Sequence, residues 1–380
     1  MKEKRLLDLI GDIDERYILE AAPRADKKKP SVFWKIALAV AGFAIVLSVG
    51  VLVPQRDSQG ELPMLTIRGN MDDGYGFEGH FVHTVEELCS DNPWSADVEL
   101  STLPVYKNPL YPHLKDGYVT NPDTQTMKEV LRETARSLGM DADMPLVENK
   151  VTGCDEVYSY CLENERYTVE VNAWMMVNVG FKQAPLPDGL CMNADYDQLK
   201  ATAAYLKETY RTLLNMTNPT VDIYEGDYSV YGDRRLLVSF YDAAENATDS
   251  IVNYAFHRVR FYGNEDGSLS HASFFGGRTD VVEEYPLITA EEAKRLLADG
   301  RYLTSVPDNF PGTEAIGKVE LVYRTDNREE FFMPYYKFYV RLDESHDIPE
   351  LDLVTYGTYY VPAVSGEYIT NMSRWDGSLH

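Results

Sequence analysis

The stretch Arg166–Phe181, RYTVEVNAWMMVNVGF, carries a clear strand pattern. Alternate residues from Tyr167 to Ala173 are apolar, or aromatic in the case of Tyr167, and a period of two places them on one face of a strand. The preceding run at 156–163, EVYSYCLE, is also rich in strand-forming residues, and turn residues at 164–165 separate the two runs. This pattern predicts an antiparallel hairpin.

Three predicted helices alternate with such strand runs. Each begins at a residue whose side chain can accept a hydrogen bond from the first helical turn: Thr126, Asp195 and Thr289. Gly300 follows the third helix in the position where a helix commonly ends. A helix crossing a twisted antiparallel sheet, repeated about three times, predicts an α+β fold.

The predicted domain order places these units after a long amino-terminal region. The segment 101–117, STLPVYKNPLYPHLKDG, is broken by prolines, which favours an irregular tether with some strand content. We therefore expect the following order along the chain: a cytoplasmic helix and basic patch at 1–32, a transmembrane helix at 33–53, a tether at 54–119, and α+β units at 120–190, 191–284 and 285–380.

The transmembrane prediction rests on Ile36–Val53, about 18 residues without a charge. At 1.5 Å per residue such a helix is long enough for the hydrocarbon core of a bilayer. Trp34 and Lys35 stand at its near edge, as is typical of a membrane interface. The alternatives are a buried core helix and a cleaved signal peptide, whose apolar region is normally shorter, about 7–15 residues.

Charge predicts the orientation of this span. Before Ile36 the chain has 9 Lys and Arg against 7 Asp and Glu, whereas the remainder has 27 against 54. Basic flanks stay in the cytoplasm, so Lys27, Lys28 and Lys29 are interpreted, with Trp34 and Lys35, as membrane-interface residues. The prediction is a single-pass cell-membrane protein with an extracytoplasmic carboxy-terminal domain.

The segment 3–23, EKRLLDLIGDIDERYILEAAP, predicts an amphipathic helix. Leu6, Ile10, Ile13 and Tyr17 lie on its apolar stripe, for which docking to a cytosolic partner is the favoured interpretation. A helix lying on the membrane surface is the alternative, but its acidic residues fit an anionic lipid surface poorly.

Two resemblances add to this interpretation. LLDLIGDIDERYILEAAP at 6–23, followed by the basic patch and one span, resembles the head of Firmicutes single-pass, anti-sigma-factor-like regulators, and implies a sigma-factor-like partner. The chain lacks the zinc motif of the zinc-binding anti-sigma class. PLITAEEAKRLLADGRY at 286–302 and YYVPAVSGEYI at 359–369 resemble cystatin-like or PepSY-like units and the YycH and YycI ectodomains, which implies protein binding without catalytic residues.

The sequence predicts no catalytic residue, cofactor or metal ligand set. His80 and His83 stand three residues apart near Glu78, but residues at that spacing face opposite sides of a strand. Asn193, Asp195 and Asp197 are similar to the start of a calcium loop, but the required glycine and final glutamate are missing. The net charge of −25 disfavours nucleic acid as a partner.

The four cysteines are Cys89, Cys154, Cys161 and Cys191. Three disulfide pairings are open, a bridge between Cys154 and Cys161 among them, and free buried thiols are the alternative. An extracytoplasmic location would allow disulfides to persist.

Three classes of function remain after these exclusions. The leading one is a membrane regulator with an extracytoplasmic sensing module, which binds an unidentified ligand or protein, and a cytosolic docking helix. The alternative is a surface binding or structural module without a signalling partner. An exported enzyme is the third, and a deep cleft that gathers several titratable groups would favour it.

Overall fold

The computed structural model describes residues 61–67, 77–88, 90–115, 118–150, 157–182, 185–277, 279–326, 328–372 and 374. The chain divides into two compact units, Met1–Glu61 and Leu62–His380. In the first unit only Glu61 is described.

The described helices are short. They are α1 (Thr124–Ser137), α2 (Tyr196–Thr209), α3 (Arg211–Leu214), α4 (Ala247–Phe256) and α5 (Ala290–Ala298).

The described strands are β1 (Gly79–Val82), β2 (Thr102–Lys107), β3 (Leu114–Lys115), β4 (Tyr118–Val119), β5 (Val147–Lys150), β6 (Val157–Glu163), β7 (Tyr167–Asn172), β8 (Met176–Phe181), β9 (Pro219–Tyr228), β10 (Arg234–Asp242), β11 (Arg258–Gly263), β12 (Leu269–Phe275), β13 (Asp280–Pro286), β14 (Leu303–Thr304), β15 (Ile316–Tyr323), β16 (Phe331–Phe332), β17 (Pro334–Arg341) and β18 (Val354–Pro362).

One large antiparallel sheet organises the unit. In the described residues it has 13 strands, in the order β15-β17-β18-β1-β9-β10-β11-β12-β8-β7-β6-β5, with β14 paired to β18. A three-stranded sheet, β13-β2-β16, and the ribbon β3-β4 accompany it.

Two hydrophobic cores flank different parts of this sheet. The first packs Leu131 of α1 and Leu206 of α2 against strands β6 to β12, with Val169 of β7 at its centre. The second packs Leu297 of α5 against β15, β17 and β18, where Phe338 is buried. The amphipathic faces of the helices therefore cover two separate stretches of one sheet.

Local signals account for the helix starts. Asp195 accepts a hydrogen bond from the amide of Gln198 at 2.9 Å, which confirms the predicted cap of α2. Thr289 forms the predicted capping box at the start of α5. The first helix begins at Thr124, two residues before Thr126, because Asp123 is its cap and accepts the hydrogen bond from the Thr126 amide.

Two strand predictions need correction. The predicted hairpin of 156–181 is a three-stranded meander, because Arg166–Phe181 turns near Met175, at φ 58°, and returns as β8. The residues of the run 250–263, SIVNYAFHRVRFYG, predict one strand, but they form the end of α4 followed by β11. The stretch 244–249 before it predicts a loop between strands, but the Asn246 side chain accepts a hydrogen bond from the Asp249 amide and caps α4.

The predicted fold class of about three separate helix-plus-sheet units is wrong. Strand β8 pairs with β12, so the sheet continues from the first predicted unit into the second. Strand β1, placed in the predicted tether, pairs with both β18 and β9 and joins the second to the third. Open strand edges present unpaired backbone groups, and their mutual pairing makes one sheet-rich fold.

The prediction of a single-pass protein in the cell membrane is also corrected. Within the described ranges no helix is long and apolar enough to cross a membrane. The longest of those helices, α1 and α2, have 14 residues each, or about 21 Å at 1.5 Å per residue, against about 30 Å of hydrocarbon. The predicted span at 33–53 lies outside the described residues.

Candidate functional site

A cleft lies on the polar face of the large sheet. Seven neighbouring strands run from β11 through β10, β9, β1, β18 and β17 to β15. Helix α4 contacts β10 and β11 at one end of this run and β15 at the other, so the strands curve around the space between. The resulting cavity measures about 780 Å³.

Strand alternation places charged side chains in this cleft. On β11, Val259 and Phe261 belong to the hydrophobic core, whereas Arg258 and Arg260 line the cleft. The same alternation on β15 and β17 adds residues with polar side chains: Glu320, Lys337 and Tyr339. A period of two therefore builds an apolar core behind the sheet and a polar wall in front of it.

A buried ion pair anchors one wall of the cleft. Arg258 contacts the carboxylate of Asp222, which is fully buried. The Asp91 amide donates to Asp222 Oδ1 at 2.7 Å, and the Ser239 hydroxyl donates to Oδ2 at 3.0 Å. Several donors thus hold the carboxylate of Asp222 in place, and the carboxylate in turn holds Arg258 on the wall.

Glu320 forms a second buried cluster. Lys318 Nζ lies 2.7 Å from Glu320 Oε1, the Tyr339 hydroxyl donates to Oε2 at 2.9 Å, and Ser90 donates a short hydrogen bond. Burial acts to raise the pKa of Glu320, but Lys318 and these hydrogen bonds outweigh it and lower the pKa. The carboxylate is therefore charged at neutral pH.

Lys337 and Glu78 link β17 to the segment before β1. Lys337 Nζ lies 3.6 Å from Glu78 Oε1, which also accepts a hydrogen bond from the Tyr360 hydroxyl at 2.7 Å. The ammonium stands 4.7 Å from the ring centroid of Tyr339. This cation is consequently neutralised and packed on aromatic rings.

Arg324 lies just after β15 with its side chain 9% exposed. Its guanidinium is 2.8 Å from Glu329 and stands over the rings of Tyr335 and Tyr360 at 5.3 and 5.2 Å. The Nη1 atom is buried and has no hydrogen-bond partner in the described part of the chain. A buried donor without an acceptor costs free energy, about 1–3 kcal/mol.

Arg260 differs from the other cations of the cleft. Its half-buried side chain forms no hydrogen bond or ion pair with any residue that the structure describes. It also lines a small adjoining cavity of about 80 Å³, together with Phe256, Phe275 and Phe332. Burial and the like charge of Arg260 lower the pKa of Arg258 to about 9.

His80 lies where β1 joins the two parts of the sheet. Its Nδ1 is 3.3 Å from the Tyr224 hydroxyl and 3.6 Å from Asp227 Oδ2, and its Nε2 is 3.2 Å from the Thr358 hydroxyl. Burial acts to raise the pKa of Asp227, but His80 and Arg235 lower it. Thr358 is fully buried, so this Thr-His-Asp arrangement cannot present a nucleophile to a substrate.

The paired histidines of the sequence do not converge. His83 Nδ1 lies 3.0 Å from the carbonyl oxygen of Asp352, away from the partners of His80. Across the described ranges, no group of three or more His, Cys, Asp and Glu side chains is arranged to hold a metal ion. The acidic run at Asn193, Asp195 and Asp197 contributes the cap of α2.

The other predicted site residues lie outside the described residues. These are the docking stripe and the membrane-interface set, namely Leu6, Ile10, Ile13, Tyr17, Lys27, Lys28, Lys29, Trp34 and Lys35. Cys89 and Cys154 also lie outside, whereas Cys161 and Cys191 have free thiols.

Of the cleft residues, sequence reasoning singled out only His80 and Glu78, and as candidates for a metal site; it did not identify the charged residues that β11, β15 and β17 contribute. The only local signal for them was the alternation of Arg258 and Arg260 with apolar residues on β11, which predicts a polar strand face but no partner for it.

No protein-family model matches the chain, and no curated protein matches it.

Proposed function

We propose that the unit Leu62–His380 is a binding module that holds a small organic ligand in the cleft between α4 and the curved sheet. The observation that carries this proposal is a cleft of about 780 Å³ whose charged wall residues are mostly held in place by partners from other strands. Small-molecule sites typically measure about 300–1,000 Å³ and combine apolar walls with a few placed polar groups.

The walls offer both kinds of contact. Tyr224, Tyr254 and Tyr339 supply aromatic rings, and Leu237 and Ala255 supply apolar surface. Rigid aromatic side chains lose little conformational entropy when a ligand binds, so such walls favour affinity.

Pre-organisation favours binding over catalysis here. Asp222, Glu320 and Glu78 each accept hydrogen bonds from wall residues, and those bonds hold neighbouring side chains in place. A general base must reach the proton that it removes, and carboxylates saturated by wall donors are poorly placed for that task. The third class of function, an enzyme, is therefore not proposed.

A sensing role is compatible with this module. In such a role, the ligand would bind one of two conformations of the protein more tightly than the other. Ligand binding in the cleft would thereby alter what another part of the chain binds. Docking of a cytosolic, sigma-factor-like partner by Leu6, Ile10, Ile13 and Tyr17 stays a prediction, as does a purely structural or binding role without such a partner.

The test fills the cleft and measures ligand binding. A chemically mixed set of small molecules is screened by thermal shift against the full chain and against A255W and L237W, which place an indole in the cleft from α4 and from β10. The control is A298W, the same substitution as A255W at an exposed position of α5. We expect compounds that stabilise the wild type and A298W to lose their effect on both cleft-filling variants.

Two results would refute the proposal. One is that no compound in the set stabilises the wild type. The other is that the stabilising compounds act equally on A255W and L237W while circular dichroism shows both variants folded.

A further inference from the structure

We propose that the ligand of the cleft carries an anionic group, a carboxylate or a phosphate, which binds at Arg260. This inference rests on the proposed function, because it names the chemical class of the ligand for the same cleft.

The charges of the cleft wall leave one cation unpaired. Among the described lining residues the cations are Arg258, Arg260, Arg324 and Lys337, and the carboxylates are Glu78, Glu320 and Asp326. Arg258 pairs with Asp222, Arg324 with Glu329, and Lys337 with Glu78. Glu320 pairs with Lys318, and Asp326 accepts a hydrogen bond from the amide of Arg328. Arg260 alone in this set forms neither a hydrogen bond nor an ion pair, whereas Asp326 has a backbone donor but no cation beside it.

An unpaired cation is unusual in a chain as acidic as this one. The net charge is −25, so carboxylates are abundant, yet none of those in the described residues neutralises Arg260. A half-buried charge without a partner is costly, and Arg258 close by adds repulsion. An anion bound at Arg260 would relieve both effects, and guanidinium is well suited to carboxylate and phosphate because it can donate two parallel hydrogen bonds.

The small cavity indicates what is attached to the anion. Phe256, Phe275 and Phe332 line it beside Arg260, and its volume is about 80 Å³. Such a space accepts only a small group. The geometry thus favours an organic anion with an apolar or aromatic substituent next to the charged group.

The experiment uses four probes that share an aromatic ring and differ in charge: benzoate, phenyl phosphate, benzyl alcohol and benzylamine. Binding to the full chain is measured by isothermal titration calorimetry at constant ionic strength, with probe concentrations up to about 1 mM. We expect at least one of the two anions to bind at least about tenfold more tightly than the alcohol and the amine. Benzoate and phenyl phosphate distinguish a carboxylate site from a phosphate site.

Variants assign the effect to Arg260. R260Q should weaken anion binding by about tenfold or more, and R260K should weaken it less, because the ammonium keeps the charge without the bidentate geometry. R301Q, which removes an exposed arginine outside the cleft, should leave binding unchanged. Because Arg260 has no partner to lose and repels Arg258, R260Q should keep or raise the melting temperature of the wild type.

The inference is overturned if the alcohol or the amine binds as tightly as the anions, if R260Q retains the affinity of the wild type, or if none of the probes binds. These outcomes leave the proposed function intact as long as other compounds stabilise the wild type and not A255W. Failure of the cleft-filling test removes the proposed function itself.

Discussion

The buried pair of Asp222 and Arg258 allows a quantitative prediction about the cleft wall. Asp222 is fully buried, and Arg258 has a side chain 12% exposed. Replacing Asp222 with Leu leaves the guanidinium without its partner, and replacing Arg258 with Met leaves the carboxylate without its cation. Breaking a buried pair from one side typically costs about 3–5 kcal/mol, a large part of the usual 5–15 kcal/mol of unfolding free energy.

The double variant D222L/R258M should lose much less unfolding free energy than the two single variants lose in sum. It removes both charges, and the Ser239 hydroxyl keeps the main-chain carbonyl of residue 222 as an acceptor, so the main remaining cost is the unpaired Asp91 amide, about 1–3 kcal/mol. The two single costs sum to about 6–10 kcal/mol, and we therefore expect a coupling energy of about 3 kcal/mol or more.

Urea denaturation of the full chain, followed by circular dichroism, measures these free energies. The control is K200M, which removes an exposed cation that pairs with Asp197 at 3.9 Å and should change stability by less than about 1 kcal/mol. Single variants that cost less than about 1 kcal/mol, or a double variant whose cost equals the sum, would refute the reasoning, because Asp222 and Arg258 would then not depend on each other.

Three further predictions concern the core, the pH response and a turn. L206D should unfold the core around α2, because it buries a carboxylate at a position that is 0% exposed. Unchanged thermal melting would show that Leu206 does not lie on the buried face of α2. Because the folded pKa of Glu320 lies below its ordinary value of 4.5, its stabilising contribution is complete above that value and is lost as the pH falls through the folded pKa. E320Q should therefore flatten part of the acid-induced loss of stability seen in denaturation series, and an identical pH profile would contradict this assignment. G267A should lower stability by more than G189A. Both glycines have positive φ, +79° and +85°, but only at Gly267 would the added methyl group overlap Cys191. Equal urea midpoints for the two variants would argue against that overlap.

Local structure was largely predictable because its causes lie within a few residues. The cap that Asp195 provides to α2 and the capping box of Thr289 involve atoms three residues apart, and both were identified correctly. The strand character of Tyr167–Asn172 followed from its own alternation. Met175 shows the limit of this reasoning, since its left-handed turn lies in an apolar run without a glycine, and the return strand was missed.

The helix α4 was missed for a related reason. Its sequence is rich in apolar and aromatic residues that suit a strand as well as a helix, and its Asn246 cap was interpreted as part of a loop. This helix contacts both ends of the curved run of strands, so its omission also hid the cleft.

The sequence by itself determined the helix caps, the apolar faces and the alternation that places Arg258 and Arg260 opposite Val259 and Phe261. The tertiary structure decided which strand edges meet: β1 joins β18 and β9 across more than a hundred residues of chain, and that pairing brings His80 beside Tyr224 and Thr358. The physical reason is that the backbone groups along a strand edge do not distinguish one partner strand from another. Hydrogen bonding along an edge is the same for any strand, and the choice of partner depends on how all the apolar faces can be buried at once.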